Sequence, residues 1–216
     1  MKKIIAITVF SLISFTSFAQ SEWQKPTDNT QTQEPKRGLL DRNKTKTIAP
    51  KYLEGGVPEI DGKVAWEKSF DVPGKSADAI YDTMLAYLQQ FVKMEGQTDM
   101  SQVAIVNKST KQIVARASEW LVFENRLLSL DQTLFNYIII ADCSNGACKV
   151  KITNINYRYE EGRPTEMSMT AEEWINDKNA LNKKKTGFQK GGVKKFRMKT
   201  IDRIENIFAG IETALK

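Results

Sequence analysis

The chain carries 216 residues, a formal charge of +6, two cysteines and no histidine. Without imidazole, Ser-His-Asp and Cys-His hydrolases, histidine-ligated zinc and imidazole acid-base catalysis are excluded, and two cysteines alone cannot close a tetrahedral metal site. Neither Gly-x-Gly-x-x-Gly, nor a complete phosphate loop ending in Gly-Lys-Ser/Thr, nor Ser-x-x-Lys is present, so any catalysis would rest on carboxylates, lysine or tyrosine, and no cofactor is implied.

Lys2 and Lys3 lead into an apolar run over residues 4–18 that closes on Ser17-Phe18-Ala19. A cationic start, a short apolar stretch and small residues before the cut form an export signal over residues 1–19, cleaved between Ala19 and Gln20. The expected location is the periplasm of a Gram-negative bacterium or the cell exterior. No cysteine near the cut supports a lipid anchor, and no second apolar run reaches spanning length, so no transmembrane segment is expected in the mature chain. Roughly 197 residues then remain, ample for one domain with its own core, and the loss of Lys2 and Lys3 leaves them only mildly basic. Residues 20–56 are rich in Gln, Thr, Pro, Lys and Asn and read as a flexible polar arm, with Trp23 tolerated in solution.

The folded domain is expected over residues 57–216. It opens with a strand over 63–70, where Val64, Trp66 and Phe70 share one face. A helix follows the Pro73-Gly74 turn, with Ser76 as N-cap, Asp78 at the positive end of the dipole, a buried stripe of Ile80, Met84, Tyr87, Leu88 and Phe91, and Gly96 as the stop after Glu95. Four strands over 103–107, 113–123, 134–143 and 148–159 read as an antiparallel meander, joined by short polar connections at Lys108-Ser109-Thr110, Asn125-Arg126 and Ser144-Asn145-Gly146-Ala147. After a loop over 160–169, Thr170-Ala171-Glu172-Glu173 has the form of a capping box and starts a helix to about Leu181. A basic loop leads to a last helix whose Ile201, Ile204, Phe208, Ile211 and Leu215 lie on one side.

Asn145-Gly146 is the pattern of a type I′ turn, which places Ser144 opposite Ala147 and Cys143 opposite Cys148. The same register pairs Ala141 with Val150 and Ile139 with Ile152 on an apolar face, and Asp142 with Lys149 and Ile140 with Lys151 on the other. In an oxidising compartment Cys143 and Cys148 would form a structural cross-strand disulfide contributing roughly 2 kcal/mol, because the loop it closes is small. A redox role would want a Cys-x-x-Cys before a helix, which is not this arrangement.

Glu119-Trp120-Leu121-Val122-Phe123, Tyr157-Arg158-Tyr159-Glu160, residues 171–177 and Lys195-Phe196-Arg197 with Ile201-Asp202 resemble segments of an exported bacterial family of unknown function with a TATA-binding-protein-like (TBP-like) fold. The resemblance runs from about Val57 to the C-terminus. It implies an α+β domain in β-α-β-β-β-β-α order, one curved antiparallel sheet of about five strands with helices on one face, and it brings no activity and no site residues. The fold name does not imply DNA binding, and an exported protein rarely meets chromosomal DNA, so nucleic acid is disfavoured as a partner.

Candidate sites come from chemistry alone. Residues 178–199 hold nine basic residues and no acidic one. Lys183, Lys184, Lys185, Lys190, Lys194, Lys195 and Arg197, interleaved with Phe188 and Phe196, form an expected surface for an anionic envelope polymer, or else a solvated loop anchored by its aromatics. Glu173 and Asp177 share a helix face as a candidate acid pair, Glu119 is a further candidate, and Glu160-Glu161 and Glu172-Glu173 diverge. Asp142-x-Ser144-Asn145-Gly146 fails as a calcium loop because its glycine falls at the fifth position. Trp66, Trp120 and Trp174 would either line a sugar platform or, as expected here, pack in the core. The expected function is a non-enzymatic envelope binding module of unknown ligand. A carboxylate-dependent glycan hydrolase and a proteinaceous inhibitor of an exported enzyme are the alternatives.

Overall fold

A computed structural model describes residues 47–126, 129–189 and 191–216. The signal segment, its cut at Ala19 and Gln20, Trp23 and Lys190 lie outside them. In order come β1 (Glu59–Ile60), β2 (Lys63–Val64), β3 (Trp66–Asp71), α1 (Ala77–Phe91), β4 (Gln102–Asn107), β5 (Gln112–Arg126), β6 (Ser129–Ser144), β7 (Ala147–Tyr159), β8 (Met167–Thr170), α2 (Ala171–Trp174), α3 (Asp177–Ala180) and α4 (Val193–Leu215). The α+β class holds, and every recorded strand pair is antiparallel. The main sheet runs β3-β7-β6-β5-β4 with β8 added beside β7, six strands in all, and β1-β2 form a separate hairpin. The expected count of about five is too small because the loop over 160–169 ends in β8, whose Met169 turns into the core opposite Tyr157.

Alternation sets the layers. Ile113, Ala115, Ala117, Glu119 and Leu121 of β5, and Phe135, Tyr137, Ile139 and Ala141 of β6, are buried on the face that meets α1 and α4. In α1, Ile80, Tyr81, Met84, Leu88 and Phe91 are buried and Tyr87 is half-buried against them. Ser76 accepts from Ala79 N, as an N-cap does. The helix ends at Phe91, short of Glu95, because Lys93 N and Met94 N donate to Gln90 O and Phe91 O, tightening the turn to three-residue spacing. On α4, ten residues from Val193 to Leu215 are buried. A methyl group at Gly210 would stand 2.5 Å from the Tyr87 hydroxyl, so glycine lets α1 and α4 approach there.

The hairpin between β6 and β7 has the expected register, with Cys143 opposite Cys148 and Ile139 opposite Ile152. Its turn is not type I′. Gly146 has φ +76° while Asn145 is not among the positive-φ residues, the combination of a type II turn. The tip is held from outside: Asn145 Oδ1 accepts from Ala77 N at 2.8 Å, Gly146 N donates to Lys75 O and Gly146 O accepts from Val72 N. Further along β7 the ladder is irregular beside Asn154, whose φ is +54°, and beyond it Ile155 and Tyr157 still face inward. Asn125-Arg126, expected as a connection, lies within β5 and pairs with Leu130 and Ser129.

The helix expected to run to Leu181 is two short turns. Thr170 and Glu173 form the capping box of α2, then Asn176 accepts from Asn179 N and caps α3 anew. The arm boundary at Gly56 falls inside folded structure. A 3-10 turn at Pro50–Tyr52 docks on α4, where Arg197, with a side chain 0% exposed, donates to Tyr52 O, Leu53 O, Ile175 O and Asp177 Oδ1. Lys51 adds bonds to Asp202 and Glu205, and Gly55 N donates to Asp177. Arg197→Ala is expected to lower stability by about 3 kcal/mol, since it leaves Asp177 and three carbonyls without their donor. Urea unfolding reads the loss, and limited proteolysis should show new cleavage over residues 47–56.

Candidate functional site

The basic segment does not form one cationic surface. Arg197 is buried, as described, and is no ligand-facing group. Lys195 is half-buried, with Nζ 2.7 Å and 2.9 Å from the Asp131 carboxylate, 3.0 Å from the Tyr159 hydroxyl and 4.4–5.6 Å from the ring centres of Tyr159, Phe123 and Phe196. Burial lowers its pKa, and the bonds to Asp131 and Tyr159 more than offset that, raising it above the usual lysine value. Lys185 pairs with Glu54. Of the expected ligand-facing cations, Lys183, Lys184 and Lys194 remain exposed with no ion pair among the described residues, as do Lys178 and Lys199 at the ends of the segment. Phe196 is the hub of an aromatic cluster, 4.5 Å from Phe123, 5.2 Å from Tyr157 and 6.0 Å from Trp174 between ring centres.

The candidate carboxylates are each committed elsewhere. Glu119, 5% exposed, takes Arg203 at 2.7 Å on both oxygens, Tyr137 Oη at 2.8 Å and Gln97 Nε2 at 2.8 Å. That ion pair ties β5 to α4. Burial, and then the Glu119 charge, pushes the Tyr137 phenol well above its usual range. Glu173 folds back on Thr170 to complete the capping box, while Asp177 serves Arg197 and Gly55. The two therefore do not converge. Among the described residues no cluster of three or more carboxylates and cysteines is placed to hold a metal ion.

Cys143 and Cys148 face each other, both buried, with sulfurs 3.8 Å apart. Their shared S–H···S contact, and then burial, pushes the Cys148 thiol well up.

The tryptophans separate. Trp66 and Trp174 pack against the core, the indole N–H of Trp174 having no recorded partner. Trp120, expected in the core, is 39% exposed on the sheet face away from the helices, because Ala117, Glu119 and Leu121 take the inward positions of β5. It lines a groove of about 430 Å³ with Glu124, Leu130, Gln132, Tyr159 and Glu160. The acids on this rim are partly neutralised: Glu124 pairs with Arg126, Glu160 with Arg163 and Glu161 with Arg158. The groove thus offers an indole face and the Gln132 amide within a mildly acidic frame. A tryptophan was visible in the sequence, but its outward direction depends on the parity of β5, which the apolar segment Trp120-Leu121-Val122-Phe123 conceals.

The family model for a domain of unknown function (DUF4468) with TBP-like fold matches residues 66–158. The crystal structure of a DUF4468 family protein from Bacteroides ovatus ATCC 8483 is 39% identical with a TM-score of 0.71, and the match covers 76% of this chain and 93% of that one. A TBP-like protein from Parabacteroides distasonis ATCC 8503 is similar in fold at 18% identity, with a TM-score of 0.57 and coverage of 74% and 96%. No curated protein matches the chain.

Glu173 yields a pH signature. The Thr170 backbone N–H, and then the Thr170 hydroxyl, hold its carboxyl below the ordinary 4.5. A depressed pKa means that the ionised cap contributes fully above 4.5 and that this contribution is lost as pH falls through the lower folded value. Glutamine caps without titrating. In chemical denaturation the wild type is expected to exceed Glu173→Gln in stability at neutral pH, with the gap closing as pH falls below the ordinary 4.5.

Proposed function

Because the chain belongs to the DUF4468 family, whose fold is known and whose function is not, we propose that it is an exported binding module of the cell envelope whose ligand seats beside Trp120. The outward indole in a groove of about 430 Å³ is the observation that carries this proposal. A flat aromatic face stacks on a sugar ring, and Gln132 with the acidic rim would accept and donate to hydroxyls, so a neutral oligosaccharide fits better than a polyanion. The leader pattern of Lys2, Lys3 and the apolar run to Ala19 supports the compartment. A glycan hydrolase has less support, since it would need two free carboxyls about 5–10 Å apart, and Glu119, Glu173 and Asp177 serve Arg203, Thr170 and Arg197 instead.

A second, anionic ligand is favoured by one observation: Lys183, Lys184 and Lys194 are exposed and form no ion pair among the described residues. Lys190, in the same segment, lies outside the described residues.

Calorimetric titration with neutral N-acetylhexosamine oligosaccharides is expected to show binding that Trp120→Phe largely retains and Trp120→Ala weakens about tenfold, with a tryptophan fluorescence change in the wild type that both variants lose. No binding, or binding indifferent to Trp120, removes the groove from consideration. Reversal of Lys183, Lys184 and Lys194 to glutamate should leave that titration unchanged and weaken retention on an immobilised polyanion. If the chain is exported, protein unfolded under non-reducing conditions should resist alkylation at Cys143 and Cys148 until it is reduced, and full labelling of both without reductant counts against an oxidising compartment.

A further inference from the structure

We propose that β4 is a self-association edge, along which two copies of this chain pair antiparallel and join their main sheets into one. β4 is the terminal strand of the sheet, with β5 on one side and no strand on the other among the described residues. A strand edge of this kind presents unpaired N–H and C=O groups, and proteins commonly blunt it with lysine, proline or a bulge. Residues 102–107, Gln-Val-Ala-Ile-Val-Asn, contain no charge and no proline. Ile105 and Val106, which point to opposite faces, are both 55% exposed, so past Val103, which packs against the core, both sides of the strand are open. One blunting device is present, a bulge between Val103 and Ile105. It adds twist and shortens the regular ladder, so the association is expected to be weak and concentration-dependent rather than obligate.

Charge selects the occupant and the direction. Asp99 stands before the strand and Lys108 after it, both exposed and neither in an ion pair among the described residues. An antiparallel pair of identical strands brings the Asp99 end of each copy to the Lys108 end of the other, twice across the two-fold axis, whereas a parallel pair sets like against like. The flanks of β4 are therefore complementary to themselves. On the sheet face away from the helices, the row of Ile105, Val114 and Ile140 runs to this edge, and its mate would continue it. The groove at Trp120 lies beyond the β4-paired part of β5, which spans residues 112–116, so association leaves it open.

Sedimentation velocity of the full chain over a wide concentration range tests the proposal. The expected result is a monomer–dimer equilibrium that weakens with added salt, shifts at least tenfold to higher concentration in Ile105→Lys and in Asp99→Lys, and is recovered in the double variant Asp99→Lys with Lys108→Asp. Val106→Glu provides a second edge variant, and unchanged circular dichroism and melting temperature certify that each variant is folded. A chain that stays monomeric throughout overturns the proposal. So does a dimer that survives Ile105→Lys and Val106→Glu, and a double reversal that fails to restore association overturns the antiparallel direction.

Discussion

A single guanidinium organises one end of this domain. Arg197 lies inside α4 with no solvent exposure, and its donors reach carbonyls of the segment before β1, a carbonyl at the end of α2 and a carboxylate at the start of α3. Each of those acceptors belongs to a chain segment too short to be stable alone: a 3-10 turn and two helices of four residues. A lysine could not replace it, because one ammonium cannot present a planar fork to four acceptors in different directions. The irregular pieces are thus satisfied from a regular one, which is what a buried backbone with few partners of its own requires.

At the middle of the same helix a second ion pair works on the sheet. Arg203 meets both oxygens of Glu119, while Tyr137 and Gln97 complete the carboxylate's shell, so a charge inside the apolar layer is paired and hydrogen-bonded. Together Arg197, Arg203 and the aromatic contacts of Phe196 make α4 the element against which the sheet, the turn at Pro50–Tyr52 and the short helices are all referenced. Among the described residues this placement leaves the other face of the sheet without helices, and the exposed indole of Trp120 lies on it.

Local patterns were legible wherever one short-range rule decided the outcome. Ser76 and the apolar spacing after it define α1, Thr170 to Glu173 is a capping box, and Asn145-Gly146 sets the Cys143–Cys148 register. Features that depend on distant partners were not. The turn at Pro50–Tyr52 has no apolar run and is ordered by a residue 145 positions away. The conformation of Asn145 answers to the amide of Ala77 rather than to its own dipeptide preference. Arg197 looked like one more cation of a basic loop because nothing in a run of lysines marks the member that turns inward. Trp120 was misplaced for the opposite reason: in a continuous apolar strand, alternation has no contrast from which to read a face.

The tip of the β6–β7 hairpin carries a practical consequence for handling the protein. Reverse turns are ordinarily the places where a polypeptide accepts an added epitope or a cut-and-rejoined terminus without penalty. Here Asn145 and Gly146 are bonded to Ala77, Lys75 and Val72, so splicing extra sequence between them would unseat the start of a helix nearly seventy positions upstream. The Lys183-Lys184 turn, exposed and linked to the rest chiefly through its neighbours, is the better site for a graft or a label.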